Sequence, residues 1–264
     1  MSIVINHDKL KIRRAFAKAS VSYDDFAQLQ LVVANSLLHK NALTSLYGNV
    51  LDIGCGTGFL THQLQQMGGF RQLLALDIAI PMLLQARQRL LDSANYVCGD
   101  AESLPLQDAS LDSVFSSLAL QWCQNLPATL QECRRVLKPG GRLVFATFGA
   151  ETLCELKQAW ASVDDYRHVN EFYTVQQIRD LFLNSAWRTV EVDSQLFQPR
   201  YASVSSLLHE LKAIGAQSVS AGRKRQLTSK AHMQQMFNAY PRGGDADDIV
   251  ASFEIIWVIA EAGL

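Results

Sequence analysis

The sequence predicts an α/β fold: a doubly wound, seven-stranded, mostly parallel sheet, with helices at the N-terminus and a helical lid insertion near the C-terminus. Two observations predict it. Short apolar runs alternate with helical stretches from residue 49 to about residue 148, and the first run, NVLDIG, passes directly into a glycine-rich turn. Such alternation implies a parallel sheet with both faces covered.

The elements follow in order. Residues 10–47 read as helical, with Phe26, Leu29, Val33 and Leu37 at helical spacing. NVLDIG is a buried strand ending in a glycine turn, and a helix follows from Phe59 to Met67. QLLALDI is the second strand, after which Pro81 opens a helix. NYVCGD and LDSVFSSLAL are the third and fourth strands. Pro127 opens the helix PATLQECRRVL, which the turn KPGG ends before the fifth strand, RLVFATF. Residues 151–161 are helical, and Thr174 and Gln177 form a capping box ahead of Ile178, Leu181 and Phe182. WRTVEVD is the sixth strand and ASFEIIWVIAEA the seventh. Between them Val204, Leu207, Leu208, Leu211 and Ile214 share one helical face. The expected division is a helical cap over 1–48, a core over 49–199, a helical lid over 200–243 and a returning core strand over 244–264.

The chain has 264 residues, 48% hydrophobic and 19% charged, enough to build a full core. No apolar run reaches the ~18 residues that span a bilayer. The N-terminus MSIVINHDKLKIRRAF places charges where a signal peptide needs an apolar stretch, so a cytoplasmic protein without membrane contact is expected. Cys55, Cys98, Cys123, Cys133 and Cys154 form no C-x-x-C pair and have no histidine at ligand spacing. They read as reduced thiols, with no metal site. The formal net charge is only −1, yet Lys9, Lys11, Arg13, Arg14 and Lys18 face one acid, Asp8, within residues 1–20. Arg200, Lys212, Arg223, Lys224, Arg225 and Lys230 likewise face only Glu210 within residues 200–230. Two basic segments in a near-neutral chain suggest an anionic partner, or else a solvated basic surface.

The motif VLDIGCGTGFL, residues 50–60, carries the chemistry. Gly54, Gly56 and Gly58 permit a tight turn and close approach of a ligand to the backbone. Asp77 ends the second strand, where a carboxylate can accept both hydroxyls of a ribose. A dinucleotide dehydrogenase shares that acid, but not Asp52, two residues before the first glycine. A pyrophosphate would be repelled there, whereas a ligand bearing an ammonium and a sulfonium would be attracted. S-adenosylmethionine carries both. Asp100, at the end of the third strand, can accept from an adenine amino group while Ala101 offers its backbone amide, although a loop or N-cap aspartate is the plain alternative. The fourth strand delivers Leu118 and Gln121–Trp122 to the same end of the sheet.

With the glycine loop, Asp77, GDAESLP and RRVLKPGGRLVF in this order, the chain resembles the class I S-adenosylmethionine-dependent methyltransferases over residues 49–148, which implies a Rossmann-like sheet. A narrower resemblance runs nearly end to end. AFAKASVSYDDFAQLQ, FSSLALQWCQNLPATLQECRRVLKPGGRLVFATFGAETLCELKQAW, HVNEF and LLHELKAIGAQSVSAGRKRQLT resemble the malonyl-acyl-carrier-protein O-methyltransferases of biotin synthesis. These methylate the free carboxylate of a malonyl thioester, disguising it for elongation toward pimeloyl. The resemblance implies a cofactor set of Tyr23, Gln28, Asp52, Gly54, Cys55, Gly56, Gly58, Asp77, Ile78, Asp100, Ala101 and Leu118. Tyr23 and Gln28 read equally as a core tyrosine and a surface glutamine.

A carboxylate is a competent nucleophile at neutral pH, so no general base is expected; the enzyme must hold the reactants in line and exclude water. The substrate carboxylate needs cations or donors. Arg200, Lys212 and the Arg223–Arg225 cluster in the lid are candidates, as are His168 and Asn170 in HVNEF; surface or capping roles compete for each. The basic segments suit an acidic acyl carrier protein, or malonyl-CoA, as the bearer of the thioester. No nucleic-acid motif is present. The oligomeric state is left open. A methyltransferase acting on a small free acid and a non-catalytic methyltransferase-like binding module are the competing functions, with a nicotinamide dehydrogenase behind both.

Overall fold

The computed structural model describes residues 8–40, 46–183, 185–216, 229–242 and 248–263. The N-terminal helical stretch divides into α1 (Lys9–Ala19), α2 (Tyr23–Phe26) and α3 (Gln28–Lys40). The helix between Ser22 and Lys40 breaks at Ala27, whose ψ of 33° leaves the helical region. The alternating core follows as β1 (Gly48–Ile53), α4 (Phe59–Met67), β2 (Phe70–Asp77), α5 (Ile80–Leu90), β3 (Asn95–Cys98), β4 (Leu111–Ser117), α6 (Leu126–Val136) and β5 (Leu137–Phe148). The turn KPGG is absorbed into β5, which starts directly at the end of α6 and carries Gly140 at φ +77°.

After the core come α7 (Cys154–Ala161), α8 (Val175–Phe182) and β6 (Trp187–Phe197). The Thr174–Gln177 capping box is formed in both directions. The sixth strand is longer than the WRTVEVD run, because its pairing with the final strand continues to Phe197. Then follow β7 (Arg200–Tyr201), α9 (Val204–Ala213), α10 (Lys230–Ala239), β8 (Ile249–Val250) and β9 (Phe253–Ala262). The pairing of β7 with β8 is a small antiparallel ribbon that the sequence did not announce.

The seven-stranded sheet has the order β3-β2-β1-β4-β5-β9-β6. β1, β2, β3, β4 and β5 pair in parallel, and β9 is antiparallel to both its neighbours. Apolar side chains leave the strands alternately toward two layers. Phe115 packs on the side of Val33, Leu37, Leu60 and Trp160, whereas Phe145 packs on the side of Leu130, Val136, Ile178 and Phe182. Both phenylalanines are fully buried, which is why these strands read as continuous apolar runs. The chain reverses its order of strand addition between β1 and β4, and the crevice at the carboxyl ends of those strands is where an open α/β sheet receives its ligand.

Candidate functional site

Two cavities meet at that end of the sheet. The first is lined from the core by Ile53, Gly54, Gly56, Leu76, Asp77, Ile78, Asp100, Ala101 and Leu118, and is roofed by Lys9, Ile12 and Phe16 of α1 and by Tyr23 of α2.

The glycine turn is built by steric need. Gly54 has φ +68°, and a Cβ there would sit 2.2 Å from the Cβ of Ala119. Gly58 has φ +84° and starts α4; a Cβ there would lie 2.9 Å from Leu90 and 3.0 Å from the Cβ of Ala86, so this glycine lets α4 approach α5. Gly56 leaves its Cβ position open, toward the cavity that it lines.

Two buried carboxylates stand behind this floor. Asp77 Oδ2 accepts from the Gly56 amide at 3.0 Å and Oδ1 from the Ala79 amide at 2.8 Å. Burial pushes its carboxyl up to about 6 against the pull of those amides. Asp52 Oδ2 accepts from the Thr61 hydroxyl at 2.6 Å, while Oδ1 is buried with no hydrogen-bond partner. Burial, with the Asp77 charge added, raises Asp52 to about 7 despite the Thr61 bond. An orphaned buried carboxylate oxygen beside a second strained carboxylate fits a cationic ligand. A pyrophosphate would aggravate both.

At the opposite wall Asp100 Oδ1 accepts from the Glu102 amide at 3.0 Å, and Lys9 donates to Asp100 Oδ2 at 2.5 Å. Lys9 also pairs with Glu102. Burial alone would lower the Lys9 ammonium, but the two carboxylates outweigh it and hold it above its ordinary value. Tyr23 is pushed far up by burial and by the charges of Asp77 and Asp24, so it remains a neutral hydroxyl. Phe16 meets Trp122 edge-on, with ring centroids 5.3 Å apart, and Trp122 lines both cavities.

The second cavity, about 370 Å³, lies between α7, the HVNEF segment and α9. Its walls are mainly apolar, among them Phe148, Leu156, Phe172, Leu208 and Phe253, with Thr152, His168, Asn170 and Lys212 as polar members. His168 stacks on Trp160 at 3.6 Å with the rings 7° from parallel, and its Nε2 donates to Asp164 Oδ1 at 2.7 Å.

The predicted residues thus divide. Tyr23, Gly54, Gly56, Asp77, Ile78, Asp100, Ala101 and Leu118 share the first cavity, and His168, Asn170 and Lys212 the second. Asp52 lies outside the lining, buried behind the glycine turn. Cys55 turns away from the cavity and packs against Ala75, Leu83, Ala86 and Leu90. Gly58 serves helix packing, and Gln28 is exposed at the start of α3. Arg200 is exposed on β7, outside both linings. Gln121 is buried and donates to the Leu118 carbonyl at 2.7 Å; only its neighbour Trp122 faces the cavities. The Arg223–Arg225 cluster falls outside the described residues. The roof residues Lys9, Ile12 and Phe16 were not anticipated, although Ile12, Phe16 and Ala19 fall on one face of α1. All five cysteines are free thiols. Among the described residues no cluster could hold a metal ion, and no helix is long and apolar enough to cross a membrane.

Comparison with known proteins agrees with this geometry. A methyltransferase-domain family profile matches residues 51–145. The YcgJ protein of Bacillus subtilis superposes with a TM-score of 0.61 at 17% identity, over 88% of this chain and 98% of that one. Phosphoethanolamine N-methyltransferase 2 of Haemonchus contortus, solved with S-adenosylhomocysteine, gives a TM-score of 0.61 at 18% identity, over 94% of this chain and 58% of its own. The sheet order and the glycine turn at its switch point define a class I methyltransferase fold.

The sequence relatives narrow that class. The malonyl-[acyl-carrier protein] O-methyltransferase of Methylococcus capsulatus is 40% identical over 94% of this chain and 91% of its own. That of Nitrosospira multiformis is 37% identical over 96% and 90%. A biotin biosynthesis bifunctional protein of Cellvibrio japonicus is 39% identical, and the chain spans 50% of its length. The chain belongs to the malonyl-[acyl-carrier protein] O-methyltransferase family.

Proposed function

We propose that the chain methylates the free carboxylate of a malonyl thioester carried on acyl carrier protein, with S-adenosylmethionine as donor, at the start of pimeloyl assembly for biotin. The observation that carries this reading is the pair of cavities that share Trp122, one lined by the buried Asp77 with Asp52 behind it, the other mainly apolar with Thr152, His168, Asn170 and Lys212 as polar members. The family relationship supplies the identity of the acid.

When bound, S-adenosylmethionine supplies an electrophilic methyl group on a sulfonium. Asp77 offers acceptors for its ribose hydroxyls, Asp100 and the Ala101 amide face its adenine, and Asp52 contributes negative potential through the glycine turn. Trp122 and Phe16 close the junction between the cavities against water. In the second cavity His168, positioned by Asp164 and Trp160, joins Asn170 and Lys212 in holding the substrate carboxylate. No residue needs to remove a proton, because the acceptor carboxylate is already ionised at neutral pH. The apolar walls suit the thioester and the arm that bears it. Malonyl-CoA, with the same acyl head, is the second substrate this chamber fits.

Incubation with labelled S-adenosylmethionine and malonyl-carrier protein, beside malonyl-CoA, free malonate and RNA, tests the reading. Label should enter malonyl-carrier protein as a methyl ester that mild alkali releases as methanol. An alkali-stable product, or label in free malonate alone, refutes it.

A further inference from the structure

The helix α1 has a face that the cofactor cavity does not explain. Lys9, Ile12 and Phe16 point inward. Arg13, Arg14 and Lys18 are exposed and enter no ion pair among the described residues. The helix KLKIRRAFAKA holds five basic residues and no acid within its span; its one neighbouring acid, the N-cap Asp8, accepts from the Leu10 and Lys11 amides and pairs with Lys11. Lys9 and Lys11 are thus accounted for by Asp100, Glu102 and Asp8, whereas Arg13, Arg14 and Lys18 have no such partner among the described residues.

α1 packs against α5, where Ile80, Leu84 and Arg87 recur at helical spacing as one outward stripe and Leu91 follows just past the helix end. Ile80, Leu84 and Leu91 are 58%, 55% and 69% exposed. Leu10 on α1 and Val21 just beyond it are also exposed. Ten large hydrophobic residues are exposed among the described residues, and these five lie on or beside two adjacent helices. That concentration marks an interaction surface rather than scattered solvent contact. The surface also adjoins the substrate chamber. Gly215 follows α9 and packs so closely on α1 that a Cβ would lie 3.2 Å from the Ala15 carbonyl, while Lys212 and Ala216 on either side of it line the chamber.

We propose that the joint outer face of α1 and α5 docks the acidic, helical carrier protein, with Arg13, Arg14 and Lys18 meeting its carboxylates and the α5 stripe covering its apolar contacts. This rests on the carrier-bound substrate proposed above. Charge complementarity favours an acidic partner, and the position beside the chamber favours the one that delivers a tethered acyl group.

The test compares acyl donors across variants. In Arg13→Glu/Arg14→Glu/Lys18→Glu, kcat/KM for malonyl-carrier protein should fall about tenfold or more at low salt. Turnover of malonyl-CoA, affinity for S-adenosylmethionine and melting temperature should change little. Leu84→Ser, which alters no charge, should lower kcat/KM several-fold for the carrier-bound donor alone. Equal losses on both donors, or none on the carrier, overturn the assignment. Wild-type turnover of malonyl-CoA without malonyl-carrier protein would sink the docking site while leaving the methyltransferase. Failure with both donors would sink the proposed function itself. Binding to anionic vesicles, or a dimer in sedimentation, that the triple variant abolishes would reassign the face and overturn carrier docking.

Discussion

The substitution Asp77→Asn removes a charge from the cavity floor while nearly preserving shape. In the free protein the carboxyl rises from 3.8 to about 6. Between those values the native state keeps a proton that the unfolded chain has lost. Stability from this group is therefore fully present below pH 4 and declines as pH rises through 6, by roughly 3 kcal/mol in all. Asparagine escapes that cost but turns an amide NH2 toward one of the two backbone donors, at about 1–3 kcal/mol. The two effects offset, so the melting temperature at pH 8 should move by only a few degrees. Binding behaves oppositely. Hydrogen bonds from a ribose to an ionised acceptor contribute about 1.5–3 kcal/mol, so affinity for S-adenosylmethionine should fall about 10- to 150-fold. For the wild type, affinity should drop about tenfold from pH 7 to pH 5 as Asp77 protonates. In the variant that step disappears, and the residual titration of Asp52 moves to lower pH because the Asp77 charge no longer raises it. Calorimetric titration at pH 5, 6, 7 and 8, paired with thermal melts, reads each term. A variant that binds as the wild type does, or a wild-type affinity flat across that range, refutes the assignment of Asp77.

Lys9→Met should speed cofactor release about two- to fivefold in stopped-flow displacement, since partly exposed ion pairs contribute about 0.2–1 kcal/mol and Lys9 ties α1 to Asp100 and Glu102. His168→Ala and Lys212→Ala should each lower kcat/KM for the malonyl thioester about 10- to 150-fold. Arg200→Ala, outside the chamber, should leave it within about twofold; a loss there equal to that of His168→Ala would reverse the assignment. At saturating cofactor, kcat should stay flat from about pH 6 to 8, because the acceptor is ionised throughout; a steady climb would point to a protonated nucleophile. Gly58→Ala should destabilise by about 1–3 kcal/mol, lowering the melting temperature by several degrees, because its positive φ and the contacts with Leu90 and Ala86 both oppose a Cβ.

The parts of this site legible from sequence are those in which residue type and backbone geometry coincide. Gly54 must be glycine because of its φ and the nearness of Ala119, and Asp77 ends a strand whose apolar run marks where it stops. Side-chain direction is harder to read. Cys55 lies within the motif yet packs backward onto α5, and Asp52 acts from behind the wall. Arg200 was a fair candidate by charge. Its position is fixed by pairing with Val250, a contact across fifty residues that leaves no local pattern. The resemblance supplies Tyr23 of the roof but not its α1 residues Lys9, Ile12 and Phe16, for a related reason. Ile12, Phe16 and Ala19 form an apolar stripe, and nothing in such a stripe distinguishes a helix covering a core from one covering a ligand.

Where sequence and structure disagree with stability, they point to function most directly. Asp52 and Asp77 are buried beside one another, each raised by burial and the first also by the charge of the second. Asp77 offsets part of its burial by accepting from the Gly56 and Ala79 amides, whereas Asp52 leaves Oδ1 without a partner, a cost in the free protein that a cationic ligand would reduce. The basic face of α1 obeys the same logic at the surface. Lys9 finds Asp100 and Glu102 within the cavity, but Arg13, Arg14 and Lys18 pair with no acid among the described residues. One helix thus carries cations toward an internal carboxylate pair on one side and toward solvent on the other. On the proposed docking, a single segment would lie between both reactants, the cofactor beneath it and the carrier of the acyl group above. The Phe16–Trp122 contact places the junction of the two cavities directly under that helix.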